Sequence, residues 1–373
     1  TRSLDPSNGS IQKLHAENTN LTILQENKVS KALIDKDAIY SAEGKSITTS
    51  GAQVIGQIVP YAGEYGISKD PGSFAVYGYR KYFTDKNRNA VLRLSSDGIT
   101  EISAYGMKDF FRDKFDEIDL NSFNLGKIIG GFDVHTKTYV VSLQNNNNVD
   151  YDTLAFDESV KGWVSRYSYK PDQIFSLKNN YFTTFSGGAE NFNGLYKHYF
   201  GSEYGKFYGV NVDSSVTTVF NPKVSLSKNF LTIGYEGSNG WEMNDFRSDF
   251  TGVDNGINFD DVTFPVKSYD EGEFVINPAT GQPVRPADYQ ATFGTPYPPY
   301  NKMRAGFNRK ENKYVSNLKN NSMPRPGEIV YAQSLSGVKG MFATVVFSID
   351  STTNITGKKE LFAVSSTYVE SSY

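Results

Sequence analysis

The feature that most narrows the fold is a recurrence between Phe74 and Tyr199. Short apolar or aromatic runs alternate there with turns of Asp, Asn, Lys and Gly. The first unit reads FAVYGYRKYFTDKNRNAVLRLSSDGITEISAYGMKDFF. The second reads KIIGGFDVHTKTYVVSLQ followed by YDTLAFDESVKGWVSRYSY, and the third QIFSLKNNYFTTFSGG followed by LYKHYF. Strands show side chains of period two, and turns need residues that accept positive φ or bond their own backbone. Both demands recur here, so antiparallel hairpins are predicted. Strands are expected over 74–79, 90–94 and 99–102, with Ser96-Asp97-Gly98 as a hairpin turn. MKDFFRDKF at 107–115 changes to helical spacing and predicts a short helix. Further strands are expected at 128–133, 138–143, 153–156, 162–169, 174–177, 181–185 and 195–199. One motif returns at roughly forty residues. The expected fold is mainly β, with propeller-like antiparallel blades, long loops and a C-terminal antiparallel β region. Three units do not close a ring, so other segments or another polypeptide would supply the missing blades. A meander sheet that only resembles a blade is the rival reading.

Composition supports a β body with large contact surfaces. The 373 residues include 25 Tyr and 26 Phe but only 2 Trp. Tyr and Phe favour strands, and Tyr suits half-buried positions where its hydroxyl reaches water or a partner. A net charge of -3 gives no basic face for nucleic acid. With no cysteine, disulfides, thiolate metal sites and cysteine nucleophiles are excluded. No apolar run reaches the length of a membrane helix. The chain starts at Thr1 instead of Met, which leaves a trimmed chain and one product of a longer polypeptide both open.

The rest of the chain divides by texture. Residues 1–50 are polar and irregular and read as an N-terminal arm; Asn27–Ala38 leaves a short helix open. Residues 51–210 form the blade-like β region and 211–264 carry further β segments. Residues 265–310 are rich in Pro and Tyr and read as an extended strap lying on a surface or a neighbour. Residues 311–373 form a C-terminal β region, where MFATVVFSI at 341–349 is expected to pair with LFAVSSTY at 361–368.

Catalytic groupings are thin. His15, His135 and His198 have no partners at ligand spacing, and no Walker A loop, dinucleotide fingerprint, HExxH or GxSxG occurs. Asp157-Glu158 and Asp260-Asp261 are adjacent acids without a marked cleft. The loop Asp85–Asn89 offers oxygen ligands of the type calcium takes but lacks EF-hand spacing, and reads better as turn chemistry. No catalytic, cofactor or metal residue is assigned, and no enzymatic activity is expected. Residues singled out for interface or surface binding are Trp163, Trp241, Tyr297 and Tyr300. For the two indoles, core packing is weighed against sugar stacking, and packing is preferred.

Several of these strings resemble virion structural proteins of short-tailed bacteriophages, especially crAss-like phages. They are YGYRKYFTDKNRNAVLRLSSDGITEISAYGMKDFFRD, GGFDVHTKTYVVSL, LAFDESVKGWVSRYSYKPDQIFSLKNNYFT, LYKHY, SSVTTVFNP and LTIGYEGSNGW. The resemblance spans about residues 55–245, and more loosely 300–373. It is to the nozzle- or muzzle-like tail structural proteins. The resemblance implies a virion tail location and a ring of copies, sixfold as in most phage tails, around a channel that passes DNA and ejected proteins. It also implies contacts with other tail proteins and with the remainder of a longer tail polypeptide. A receptor- or glycan-binding module at the tail tip is the alternative, and a capsule depolymerase a more distant one.

Overall fold

The structure, a computed structural model, describes the chain except residues 1, 18–19, 41–45, 119–125, 146–149, 188–192, 250–251, 255–256, 260–265, 270–272, 281–282, 285, 295–301, 305, 319–336, 350–356 and 371–373. Two units divide the chain, Thr1–Gly201 and Ser202–Tyr373.

The first unit is built from four consecutive antiparallel sheets. The first sheet joins β1 (Ile11–Glu17), β2 (Asn20–Gln25), β3 (Val29–Tyr40) and β4 (Ser46–Pro60) in sequence order. The second joins β5 (Ala75–Tyr77), β6 (Arg80–Asp85), β7 (Ala90–Ser95) and β8 (Gly98–Glu101), and is followed by α1 (Lys108–Glu117). The third joins β9 (Lys127–Asp133), β10 (Thr138–Gln144), β11 (Tyr151–Asp157) and β12 (Gly162–Tyr167). The fourth has three strands: β13 (Gln173–Leu177), β14 (Asn180–Phe185) and β15 (Gly194–Lys197). The mainly β, antiparallel expectation holds. Strand pairing among the described residues closes no barrel or propeller.

Two local readings are corrected. The helix left open over Asn27–Ala38 is the long strand β3. Gln25 N–H donates to Lys28 O at 2.8 Å, so Glu26-Asn27 closes a hairpin instead of starting a helix. Leu24 then pairs with Val29. The single strand expected over 74–79 is two strands. Tyr77 pairs with Arg80 across Gly78-Tyr79, and Gly78 has φ 59°. Aromatic alternation through that turn disguises it in the sequence. Residues 1–50, read as an arm, supply β1, β2, β3 and the start of β4.

The sheets stack face to face, and strand alternation is what permits it. On β6 and β7, Phe83, Ala90, Leu92 and Leu94 meet Leu24 and Val29 of the first sheet. The intervening Tyr82 and Val91 turn the other way and meet Phe111, Phe115, Tyr139 and Val141. On β10 the pattern repeats: Val140 turns away from that cluster to join Ala155, Ile174 and Tyr181. All seven residues of β10 are therefore buried, as in a strand covered on both faces. Each large side chain so buried contributes roughly 1.5–3 kcal/mol. Close approach depends on Gly130-Gly131 of β9. A Cβ on Gly130 would lie 2.0 Å from Ser73 O, and one on Gly131 2.1 Å from Ile174 Cγ2. Adjacent glycines on opposite faces thus admit the neighbour on each side.

In the second unit two sheets share one core. Ala343–Ile349 is the middle strand of a three-stranded sheet, between Ser214–Phe220 and Glu242–Ser248. Lys228–Gly237 is central in the other, pairing Leu361–Glu370 on one edge and Lys313–Asn317 then Val338–Gly340 on the opposite edge. Phe230, Ile233 and Tyr235 of one sheet meet Phe246, Val345 and Phe347 of the other. The hairpin expected between 341–349 and 361–368 is therefore corrected. Both edges of Ala343–Ile349 are occupied by distant strands, and the chain crosses to the second sheet. Within the strap, Glu273–Ile276 pairs Pro283–Val284 and Lys302–Arg304, and Pro286–Phe293 is a short helix. The span carries more regular structure than an extended strap, because short runs between its prolines pair with one another.

Candidate interaction surfaces

The two tryptophans lie within the cores of their units. Trp163 is half-buried, with its ring 4.6 Å from Phe111 and 5.4 Å from Phe156. Its indole N–H donates to Ile102 O at 3.1 Å. Trp241 is 3% exposed and donates to Glu360 O at 3.0 Å. Trp241, so buried, presents no open ring face as a sugar platform would. Tyr297 and Tyr300 lie outside the described residues, as do Asp260 and Asp261.

The acids singled out in the sequence are engaged in structure. Asp85 is fully buried; it accepts from Gly66 N–H and Ser68 Oγ, both at 2.9 Å, and from Arg88 at 3.2 Å. Asp157 accepts from the Ser159 backbone and hydroxyl, both at 2.7 Å, closing its own turn. Glu158 points elsewhere, accepting from Tyr82 OH at 3.2 Å and from Arg93. The adjacent acids thus serve separate contacts. Among the described residues no group of three or more His, Cys, Asp or Glu could hold a metal ion.

His15 and His198 pack against aromatic rings, whereas His135 is exposed in its turn. The His15 ring lies 5.5 Å from Phe74, tilted by 53°, and burial lowers its pKa. His198 sits between Tyr169 and Tyr181, 5.1 and 4.9 Å away, with Nε2 2.7 Å from Thr183 Oγ1. Desolvation lowers its pKa to about 4, against the weaker opposing pull of Asp133. Asp133 accepts from His135 N–H at 2.8 Å, Thr136 Oγ1 at 2.9 Å and Tyr199 OH at 2.5 Å. Burial first, and the bond to Asp133 second, raise the Tyr199 hydroxyl well above its ordinary pKa. Asp70 lies where the second and third sheets meet. Burial raises it to about 7, although Gly72 and Ile128 N–H groups favour its charged form. Asp70 and Tyr199 carry no sequence motif; only the fold brings them to their partners.

The surface that stands out is the outer face of the fourth sheet. Cross-strand register puts Phe175 beside Phe182 and Thr184 beside Leu195 on that face. Phe175 and Phe182 stack at 5.5 Å, while Leu177 and Leu195 are 59% and 61% exposed. Phe200, 78% exposed, follows just beyond β15 with Lys197 Nζ 5.1 Å from its ring. Exposed aliphatic and aromatic groups gathered in this way mark contact surfaces more often than solvated ones. Alternation in QIFSL and NYFTTF contains the signal, but sequence alone does not reveal which of the two faces is left exposed.

Residues 202–321 match the family model of the Crassvirus muzzle protein C-terminal domain. The match starts at the residue where the second unit starts. No curated protein matches the chain.

Proposed function

We propose that this chain, which belongs to the muzzle proteins of crAss-like phages and is a structural component of the virion tail, forms part of the distal tail around the ejection channel. Copies would surround the channel in a ring, sixfold as phage tails commonly are, in contact with other tail proteins. The part is non-enzymatic: its buried acids and histidines serve turns and packing. The observation that carries the reading is the match over 202–321. The open face of Phe175, Leu177 and Leu195 supports it, since permanent assemblies bury apolar surface between chains. Closed symmetry repeats such a contact with one surface design. The four stacked sheets would be the blade-like portion, with any closure into a propeller supplied by other polypeptide.

Reconstruction of the tail from whole particles tests this reading. Several copies lying around an axial passage at the distal end are expected. A single copy, or copies set away from the passage, would overturn it.

A further inference from the structure

The last residues of the first unit hold a costly backbone conformation. Tyr199 has φ 57°, in the left-handed region, which costs a residue with a Cβ roughly 1–2 kcal/mol. Strain of this kind persists only where the surroundings over-determine it. Tyr199 is 56% exposed, so its hold comes through the hydroxyl and one neighbouring ring. The Tyr199 hydroxyl bonds the buried Asp133 at 2.5 Å, and its ring lies 4.6 Å from His135. Asp133 is itself fixed by His135 N–H and Thr136 Oγ1. The preceding residue is held as firmly: His198 N–H donates to Tyr181 O at 3.0 Å and its ring meets Thr183, Tyr169 and Tyr181.

Both neighbours of this anchored pair are weakly held. On one side is β15, four residues at the edge of the fourth sheet, paired in that sheet with β14. Three of its four residues, Gly194, Leu195 and Lys197, are exposed. On the other side is exposed Phe200, then Gly201 with φ 93°, where the unit ends.

We propose that His198 and Tyr199 form a latch at the end of the first unit that keeps β15 on the edge of the fourth sheet. Closed, it fixes the chain to the third sheet at Asp133 and keeps β15 on the edge of β14. Open, it relieves the left-handed strain and frees residues 194–199 without disturbing β10 or β11. The latch does not depend on the ring reading.

Hydrogen exchange on the full chain, read by mass spectrometry, tests the latch. Tyr199→Phe keeps the ring and removes only the hydroxyl. Loss of a bond to a buried carboxylate should accelerate exchange over 194–199 by about ten- to a hundredfold, with 138–144 unchanged. Trypsin should cut after Lys197 faster by a similar factor. Thr183→Val, acting through His198, should give a smaller acceleration in the same segment. The proposal falls if Tyr199→Phe leaves 194–199 within twofold of the wild type, or if 138–144 accelerates by the same factor.

Discussion

The third and fourth sheets are made from the same materials and live in different surroundings. Both are antiparallel meanders of short Tyr- and Phe-rich strands joined by tight polar turns. The third is covered by the second sheet on one face and the fourth on the other, so β10 has no exposed residue. The fourth is covered on one face and leaves Phe175, Leu177 and Leu195 in solvent. The first sheet, at the opposite end, is also open in part: Ile11 and Leu14 of β1 and Val54 of β4 are exposed, while the Gln25 amide donates to Asp5 O and Gly9 O at 3.0 and 2.9 Å and holds the N-terminal segment. Burial in this molecule therefore reports position in the stack more than the character of a strand.

The largest effect should come from the glycines that let the third sheet be covered twice. Gly131→Ala puts a methyl group 2.1 Å from Ile174. Overpacking and backbone shift should cost upwards of roughly 3 kcal/mol, and urea unfolding should show it as loss of the first unit. Next comes a direct contrast between the sheets. Phe156→Ala, at a fully buried site of β11, should cost about 3–5 kcal/mol, whereas Phe175→Ala on the open face should cost less than about 1 kcal/mol. Equal costs in paired melts would erase the distinction between the sheets.

Two titrations sharpen it further. Asp70 between the second and third sheets has a folded pKa raised to about 7. Folded chains then hold a proton that unfolded chains lose near pH 4. Its contribution is full below that point and is lost as pH rises towards 7. His198 in the fourth sheet has its pKa lowered to about 4. Its contribution is present above pH 6.5 and is lost as pH falls towards 4. The contribution is at most roughly 4 kcal/mol for Asp70 and roughly 3 kcal/mol for His198. Asp70→Asn should remove the decline between pH 4 and 7, and His198→Gln the decline between pH 6.5 and 4, each read from urea midpoints. The smallest effect concerns the turn of the fourth sheet. Lys178 and Asn179 have φ 48° and 60°, the pattern of a type I′ turn. Asn179→Gly should raise stability by up to about 1 kcal/mol, visible as a small rise in Tm.

Local structure was legible wherever neighbours in sequence were neighbours in space. KNN and SDG marked hairpins, MKDFFRDKF marked α1, and alternation marked β9 to β14. Legibility failed where the deciding contact was distant. Ala343–Ile349 reads as a strong strand, but its partners begin at Ser214 and Glu242, and nothing in its own residues names them. Asn27 suited a helix start as well as a turn until Val29 found Leu24. The Gly130-Gly131 doublet looks like a flexible break; its purpose appears only when Ser73 and Ile174 stand above and below it. The indoles were readable as packing residues because glycine beside each left room for a large ring. Asp133 and Tyr199, 66 residues apart, carried no warning of each other.

The order of the four sheets also has a mechanical consequence. Chain order and stacking order are the same, so a pull transmitted through Gly201 loads the Tyr199 bond to Asp133 first and, once that yields, the fourth sheet. That sheet has three strands and one covered face, and β15 at its edge would be peeled from β14 one hydrogen bond at a time. The third sheet would then be loaded across a pair of faces in shear, a far stiffer direction. The first unit is thus built like a fuse in series, in which the outermost element yields and spares those behind it.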